Sequence, residues 1–479
     1  MLIDIEYKNQ RLIVSYLNDD GKIKIESLPW SNPKKFEICQ DEDPYRMHMY
    51  KTWDNRAVKQ VDTFNPGKYS MYDYMDTLPT ELRDKIFKYQ TPEMYFIDIE
   101  TEIIDRFPDP LTADTRVLSI AIVWNEEILC MGLKELSKIQ LDEMQDKINL
   151  YFAKFKKNYS LKYKFYKNEY DMMFDMFKNY IPKMALLTGW NFVNYDWVYL
   201  VNRCRRIGIT PELASPTGKL IKGFETPEEL PMHRVVFDYM QIYKKWDTSI
   251  KVKESASLDF VSEKLLGLNK INYTGSLKTL YAEDFFTFIY YNIVDTALVQ
   301  LIHEQKNYIS VLIGLAELAK IKLIDGFSTI AVTEGCLRRP MRDERGIVLV
   351  KDYNRPAPTE RIQGGWVKPP TTGMHKWLVV RDFASLYPTS MRQFYIAPEV
   401  YKGIKIDDEH CVFNNVKMKI DPTDIVTVHD TVFKQENSVT RDFLTNVYAE
   451  RKKYKKIMMT KKEEQKRLEK ELQKLEAEI

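Results

Sequence analysis

Apolar residues along this chain follow two periods, and the switch between them outlines its elements. Between residues 93 and 192 the runs MYFIDIE, TRVLSIAIVWN, EEILCMGL and LLTGWNF are short, apolar and strand-like. Helical spacing fills the gaps, over residues 141–156, 169–181 and 194–207. Strands interleaved with helices in this way predict an α/β domain. Upstream, residues 1–30 predict two strands around the turn Asn18-Asp19-Asp20-Gly21-Lys22. Residues 31–90 mix short helices with Pro and Gly breaks, with a turn at Asn65-Pro66-Gly67 and a helix opened by Leu78-Pro79-Thr80-Glu81. Downstream, residues 284–306 predict a long amphipathic helix, and WLVVRDFASLYPTSM a strand that runs into a turn and a helix. From about Phe443 the chain reads as one charged helix whose tail, KKEEQKRLEKELQKLEAEI, has neither Gly nor Pro. Leu468, Leu472, Leu475 and Ile479 give that helix one apolar seam.

Composition narrows the class. At 479 residues the chain has room for three or four domains, and with 44% hydrophobic residues it can bury sizeable cores. A net charge of +2 neither favours nor excludes nucleic acid, because local basic stripes do that work. Five scattered cysteines with no CxxC pair argue against a zinc site or a disulfide framework. The start, MLIDIEYKNQ, alternates like a strand and carries acids, unlike a signal peptide. No run of 18 apolar residues marks a membrane span.

The acidic residues carry the candidate chemistry. Asp98 and Glu100 stand two apart on the MYFIDIE strand, so both side chains face the same way. Side-by-side carboxylates repel unless a cation offsets them, and Mg²⁺ or Mn²⁺ suits an all-oxygen site. A solvated strand face is the plainer reading of the pair alone. Asp196 follows a Gly-Trp-Asn turn, and Asp295 lies four residues after Tyr291 on one helix face. Four carboxylates could hold two metals roughly 4 Å apart for phosphodiester hydrolysis. Tyr291 would orient water or phosphate, since a phenol of pKa about 10 is a poor general base. By composition Asp171, Asp175, Asp238 and Asp284 are equally available.

The motifs resemble those of the family B replicative DNA polymerases, in particular those of T4-like bacteriophages. Asp98-Ile99-Glu100 matches the family's first exonuclease motif, Gly189-Trp190-Asn191 with Asp196 the second, and Tyr291-Asn292 with Asp295 the third. The resemblance implies a multidomain α/β and α+β chain with a ribonuclease-H-like 3′→5′ exonuclease domain, a partial palm and the first half of the fingers. It implies an N-terminal domain over 1–90 that continues at 316–352, an exonuclease domain over 91–315, a palm over 353–437 and a fingers helix over 438–479. A strand-separating hairpin would fall at about 211–235 and is short here. On the polymerase side, Gly364-Gly365 resembles the glycine pair that contacts DNA, and RDFASLYPTSMRQ the first palm motif. Asp382 would then ligate catalytic metals, Ser385 and Leu386 would sit near an incoming dNTP, and Tyr387 would pack under its sugar. Arg451 and Lys455, four apart on one helix face, would hold nucleotide phosphates. Implied partners are primer–template DNA, a single-stranded 3′ end and dNTPs, in the cytoplasm of an infected bacterial host.

The family's second fingers motif, KxxxNSxYG, and its palm DTD motif do not occur in these 479 residues. The sequence therefore suggests one subunit of a split polymerase. A second chain would carry those motifs and the thumb, cover the Leu468–Ile479 seam, and supply contact with a sliding clamp. Two other expectations stay open: a standalone 3′→5′ DNA exonuclease with a vestigial palm, and a non-catalytic DNA-binding scaffold.

Overall fold

A computed structural model describes residues 1–39, 50–88, 90–104, 106–222, 228–247, 255–350 and 364–478. Two compact units emerge, one of residues 1–33 with 64–335 and one of residues 34–63 with 336–479.

The first unit opens with three antiparallel strands, β1 (Leu2–Lys8), β2 (Arg11–Leu17) and β3 (Ile23–Pro29). Two strands are expected here, and the third arises from a turn that carries no Gly or Pro. Asn9 and Gln10 both take left-handed backbone angles (φ 50° and 58°), the geometry of a tight two-residue hairpin. Polar contacts tie this sheet to the rest of the unit. Asp4 accepts from the backbone N–H of His233 at 3.1 Å and from Lys322 Nζ at 3.1 Å, and His233 Nδ1 meets Ser15 Oγ at 2.9 Å.

The centre of the unit is a six-stranded mixed sheet. Its strands are β4 (Met94–Thr101), β5 (Val117–Trp124), β6 (Glu127–Gly132), β7 (Ser160–Phe165), β8 (Leu186–Thr188) and β9 (Val235–Val236). Their order is β7-β6-β5-β4-β8-β9. Strands β4, β5 and β6 pair antiparallel, while β7, β8 and β9 join in parallel. Four of the six are the expected apolar runs. The other two are a partly exposed alternating strand and a two-residue strand, each too weakly patterned to stand out. Ile97, Ile99, Ile120 and Ile122 lie in a core that also takes in Phe177, Phe192, Trp197 and Leu200.

Two helices matter for the site. Helix α1 (Val198–Arg206) leads off the Gly-Trp-Asn turn, and α2 (Phe285–Lys306) packs on β4 and β5. By length and composition α2 could cross a membrane, but most of it is buried inside the unit. It also carries Asn292, Asp295 and Gln300 among its buried residues. Helix α1 is pinned by a buried ion pair: Arg203 donates to Glu169 at 2.8 and 2.7 Å, and Glu169 also accepts from the Val117 N–H at 2.7 Å.

The second unit holds a five-stranded antiparallel sheet within residues 401–433 and a three-stranded sheet within residues 34–62. It also has a short helix, α3 (Leu386–Gln393), and a 40-residue helix, α4 (Val439–Glu478). The strand expected over WLVVRDF does not form: residues 374–383 run outside any sheet, with Trp377, Leu378, Val379 and Val380 exposed. Strand propensity becomes a strand only where a neighbour completes the backbone hydrogen bonds, and none among the described residues lies alongside.

Removing one partner of a buried ion pair leaves the other charge stranded, at a cost of about 3–5 kcal/mol. Arg203→Ala is expected to lower unfolding free energy by about that amount, read as a drop in denaturant midpoint. A change below about 1 kcal/mol would show that α1 is held by packing alone.

Candidate active site

Strand β4 sets the first two carboxylates. It pairs Asp98 with Ala121 and Glu100 with Ser119 on β5, and both acids project from one face of the sheet. Glu100 is buried and Asp98 half-buried.

Asp196 reaches the same place through the turn after β8. A Cβ on Gly189 would lie 2.3 Å from the Ile97 carbonyl oxygen, so only glycine lets the turn pass this close to β4. Trp190 Nε1 donates to the Ala256 carbonyl at 2.9 Å, and Asn191 takes a left-handed φ of 62°. A single π-helical turn, Val193–Trp197, then buries Asp196, whose Oδ1 accepts from the Ile99 N–H at 3.2 Å. The carboxylate thus binds the backbone between Asp98 and Glu100.

Helix α2 closes the site from the other side. Asn292 Nδ2 donates to Asp98 Oδ2 at 2.8 Å and its Oδ1 accepts from Ser119 Oγ at 3.0 Å, which fixes its orientation. One turn apart on the same helix face stand Tyr291 and Asp295. Lys270, which sequence reasoning passed over, supplies a cation here. Its ammonium pairs with Asp295 Oδ2 and donates to the Tyr291 hydroxyl at 3.3 Å. Asp295 Oδ1 is buried without a hydrogen-bond partner. Nothing in the text LGLNKINYTG marked this lysine, because its meaning lies in a carboxylate 25 residues on.

The electrostatics follow first from burial and then from the neighbouring charges. Burial, then Asp295, push Asp98 up to about 7, although Lys270 and Asn292 pull it back in part. Burial and the neighbouring Asp98 raise Glu100 and Asp196 well above the usual carboxylate range. Asp295 is raised by burial and held down by Lys270. Burial pushes the Tyr291 phenol far up, with Asp295 and Glu100 adding to it. As the side chains stand, no three His, Cys, Asp or Glu among the described residues converge into a ligand set. A divalent cation nonetheless fits the chemistry: four crowded acids, one orphaned carboxylate oxygen, and a lysine already drawn in as counter-ion.

The alternative acids are otherwise engaged. Asp238 and Asp284 cap helix N-termini, Asp171 accepts from Asn168 Nδ2 at 2.8 Å, and Asp175 pairs with Lys164 at 2.7 Å.

In the second unit the expected residues are placed differently. Ser385 takes a left-handed φ of 54° before α3, and Arg451 Nη1 donates to its Oγ at 2.8 Å, so these two come together. Asp382, Leu386, Tyr387 and Lys455 are exposed, and Asp382 belongs to no group of three possible metal ligands among the described residues. Gly364 and Gly365 have open space where a Cβ would stand, so no close backbone approach among the described residues requires them.

The raised carboxylates fix a pH dependence. Between about pH 4 and about pH 7 the folded, metal-free protein holds at Asp98 a proton that the unfolded chain releases, so its stability falls as pH rises. The melting temperature without metal is expected to drop across that window, and the increment from Mn²⁺ to grow across it. A flat profile would mean that these acids are not crowded in solution.

Two family models match the chain: DNA polymerase family B, exonuclease domain, over residues 59–260, and DNA polymerase family B over residues 322–475. The first takes in Asp98, Glu100 and Asp196, and the second Asp382 and Arg451. Among curated relatives, the DNA-directed DNA polymerase of Escherichia phage RB69 is 28% identical over 57% of this chain and 31% of its own length. That of Enterobacteria phage T4 is 21% identical over 95% of this chain and 54% of its own. DNA polymerase 1 of Sulfolobus acidocaldarius is 23% identical over 83% and 44%. The chain spans about half or less of the length of these relatives. With a carboxylate site inside one matched region and its closing helix following it, the chain is homologous to the family B DNA polymerases through their exonuclease domain and part of their polymerase domain.

Proposed function

We propose that the first unit is a 3′→5′ exonuclease acting on single-stranded DNA ends. The observation that carries this is the approach of Asp98, Glu100, Asp196 and Asp295 from one strand, one turn and one helix, with Asp196 on the Ile99 N–H, Asn292 on Asp98 and Lys270 on Asp295. Asp98, Glu100, Asp196 and Asp295 would hold the divalent ions. When bound, two such ions would activate water and offset charge on the scissile phosphate. Asn292 fixes the Asp98 carboxylate and leaves it one oxygen for a ligand. Lys270 offsets the negative charge that would otherwise repel a phosphodiester. Tyr291 stays protonated at any working pH, so it donates a hydrogen bond to phosphate or water and does not act as the base.

For the second unit we propose one side of a nucleotidyl-transfer centre. Arg451, seated on Ser385, and Lys455 lie on the helix face that would meet triphosphate oxygens, and Asp382 offers one metal ligand. A two-metal centre needs further carboxylates, and among the described residues Asp382 joins no group of three possible ligands. The purified polypeptide is therefore expected to shorten a primer and not to extend it.

Asp98→Ala is expected to cut digestion of a 3′-labelled single strand by at least about a thousandfold, in line with losing a metal ligand. Tyr291→Phe should cost far less, about ten- to a hundredfold in kcat. Digestion by Asp98→Ala at the wild-type rate would remove the exonuclease reading. Primer extension by the purified chain alone would remove the half-centre reading.

A further inference from the structure

Beside the carboxylates, β5 carries a serine that no motif in the sequence marks. Ser119 stands opposite Glu100 on β4 and Gly132 on β6, so strands on both sides fix its backbone. It is completely buried, and so is Asn292 on α2. Ser119 Oγ donates to Asn292 Oδ1 at 3.0 Å, and Asn292 Nδ2 donates to Asp98 Oδ2 at 2.8 Å. We infer that Ser119 is a positioning residue of the carboxylate site: acting through Asn292, its hydroxyl fixes which oxygen of Asp98 is open to a divalent cation. This inference rests on the exonuclease reading above and adds to it a residue that sets how tightly the site takes its metal.

The torsions involved create the need for such a group. The last side-chain torsion of Asp and of Asn joins an sp³ to an sp² carbon and has broad wells, so rotamer preference alone holds neither the carboxylate nor the amide. Ala121, opposite Asp98, offers no polar side-chain atom. Among the described residues Asn292 is the one hydrogen-bond donor to Asp98. An ionised carboxylate only accepts, whereas an amide has one donor end and one acceptor end. With Nδ2 turned to Asp98, the Oδ1 end must be satisfied where water does not reach, and the Ser119 hydroxyl satisfies it. The amide is then held at both ends, and Asp98 keeps Oδ2 engaged and Oδ1 for a ligand.

A serine hydroxyl often bonds to nearby backbone. Ser119 reaches instead a side chain 173 residues further along. Without it the buried Asn292 carbonyl is left with no donor, a penalty the amide escapes only by turning away. Asp98 then loses the contact that fixes its oxygens. Packing provides no substitute from the next strand, since Gly132 has no side chain.

Mn²⁺ titrated into the full chain without DNA, with free Mn²⁺ read by electron paramagnetic resonance, tests the role. Outer partners of a metal ligand govern affinity by about ten- to a hundredfold, so Ser119→Ala is expected to raise the Mn²⁺ dissociation constant about tenfold, and Asn292→Ala by at least as much. Because Ser119 acts through Asn292, adding Ser119→Ala to Asn292→Ala should change affinity by less than about twofold. Ser119→Thr and Ser119→Val share a shape and differ in the hydroxyl, so Thr should bind within about threefold of wild type and Val as weakly as Ala. A serine that only packs would lower the melting temperature of the metal-free protein and leave Mn²⁺ affinity unchanged. That result overturns the inference, as do additive losses with Asn292→Ala or equal affinity in the Thr and Val proteins. Wild type that takes up no Mn²⁺ overturns the exonuclease reading together with this one. Wild-type uptake that Ser119→Ala leaves intact overturns this one alone.

Discussion

Four carboxylates forced into one poorly hydrated place are the constraint around which the first unit is built. Two like charges about 4 Å apart cost on the order of 4 kcal/mol even at the effective dielectric of a protein surface. The fold meets that cost with directed groups and not with solvent. The Ile99 N–H holds Asp196, Asn292 holds Asp98, and Lys270 holds Asp295. Burial comes first among the causes that displace every member of the set upward, and for Asp98, Glu100 and Asp196 the neighbouring acids add to it. Under the proposed exonuclease function, divalent cations held by these carboxylates would offset the like charges.

Holding the acids in place demands stiffness in the elements that carry them. Strand β4 is paired along its length by β5, which holds Asp98 opposite Ala121 and Glu100 opposite Ser119, and its first residues are also paired by β8. The turn bearing Asp196 is pressed against β4 at Gly189, and the α1 helix that follows is clamped by Arg203 on Glu169. That clamp reaches the Val117 N–H at the start of β5, the strand that positions Asn292 through Ser119. One chain of contacts therefore runs from the helix after Asp196 to the residue that orients Asp98.

The second unit shows the opposite economy. Its recognisable residues sit on exposed backbone and on one long helix, and a single hydrogen bond, Arg451 to Ser385, brings two of them together. The apolar run Trp377–Val380 stands in the open with no neighbouring strand among the described residues. Exposed side chains can keep their chemistry, but nothing here fixes their geometry as the sheet fixes Asp98 and Glu100.

The sequence alone determined the periodic parts. Four of the six central strands, the long α2 helix and the single helix from Val439 follow from spacing that survives any tertiary arrangement. So does the shared facing of Asp98 with Glu100, and of Tyr291 with Asp295, because both pairs lie within one regular element. The tertiary structure decided what periodicity cannot reach. It chose Asp196 over Asp171, Asp175, Asp238 and Asp284, since a π-turn pressed on β4 brings that acid to Ile99, while Asp238 and Asp284 cap helices, Asp175 pairs with Lys164 and Asp171 accepts from Asn168. It also added Lys270, whose place depends on a carboxylate 25 positions further along. A side chain's local pattern records which face it lies on. Whether that face meets a like charge, a counter-ion or a substrate is set by elements far away in the chain.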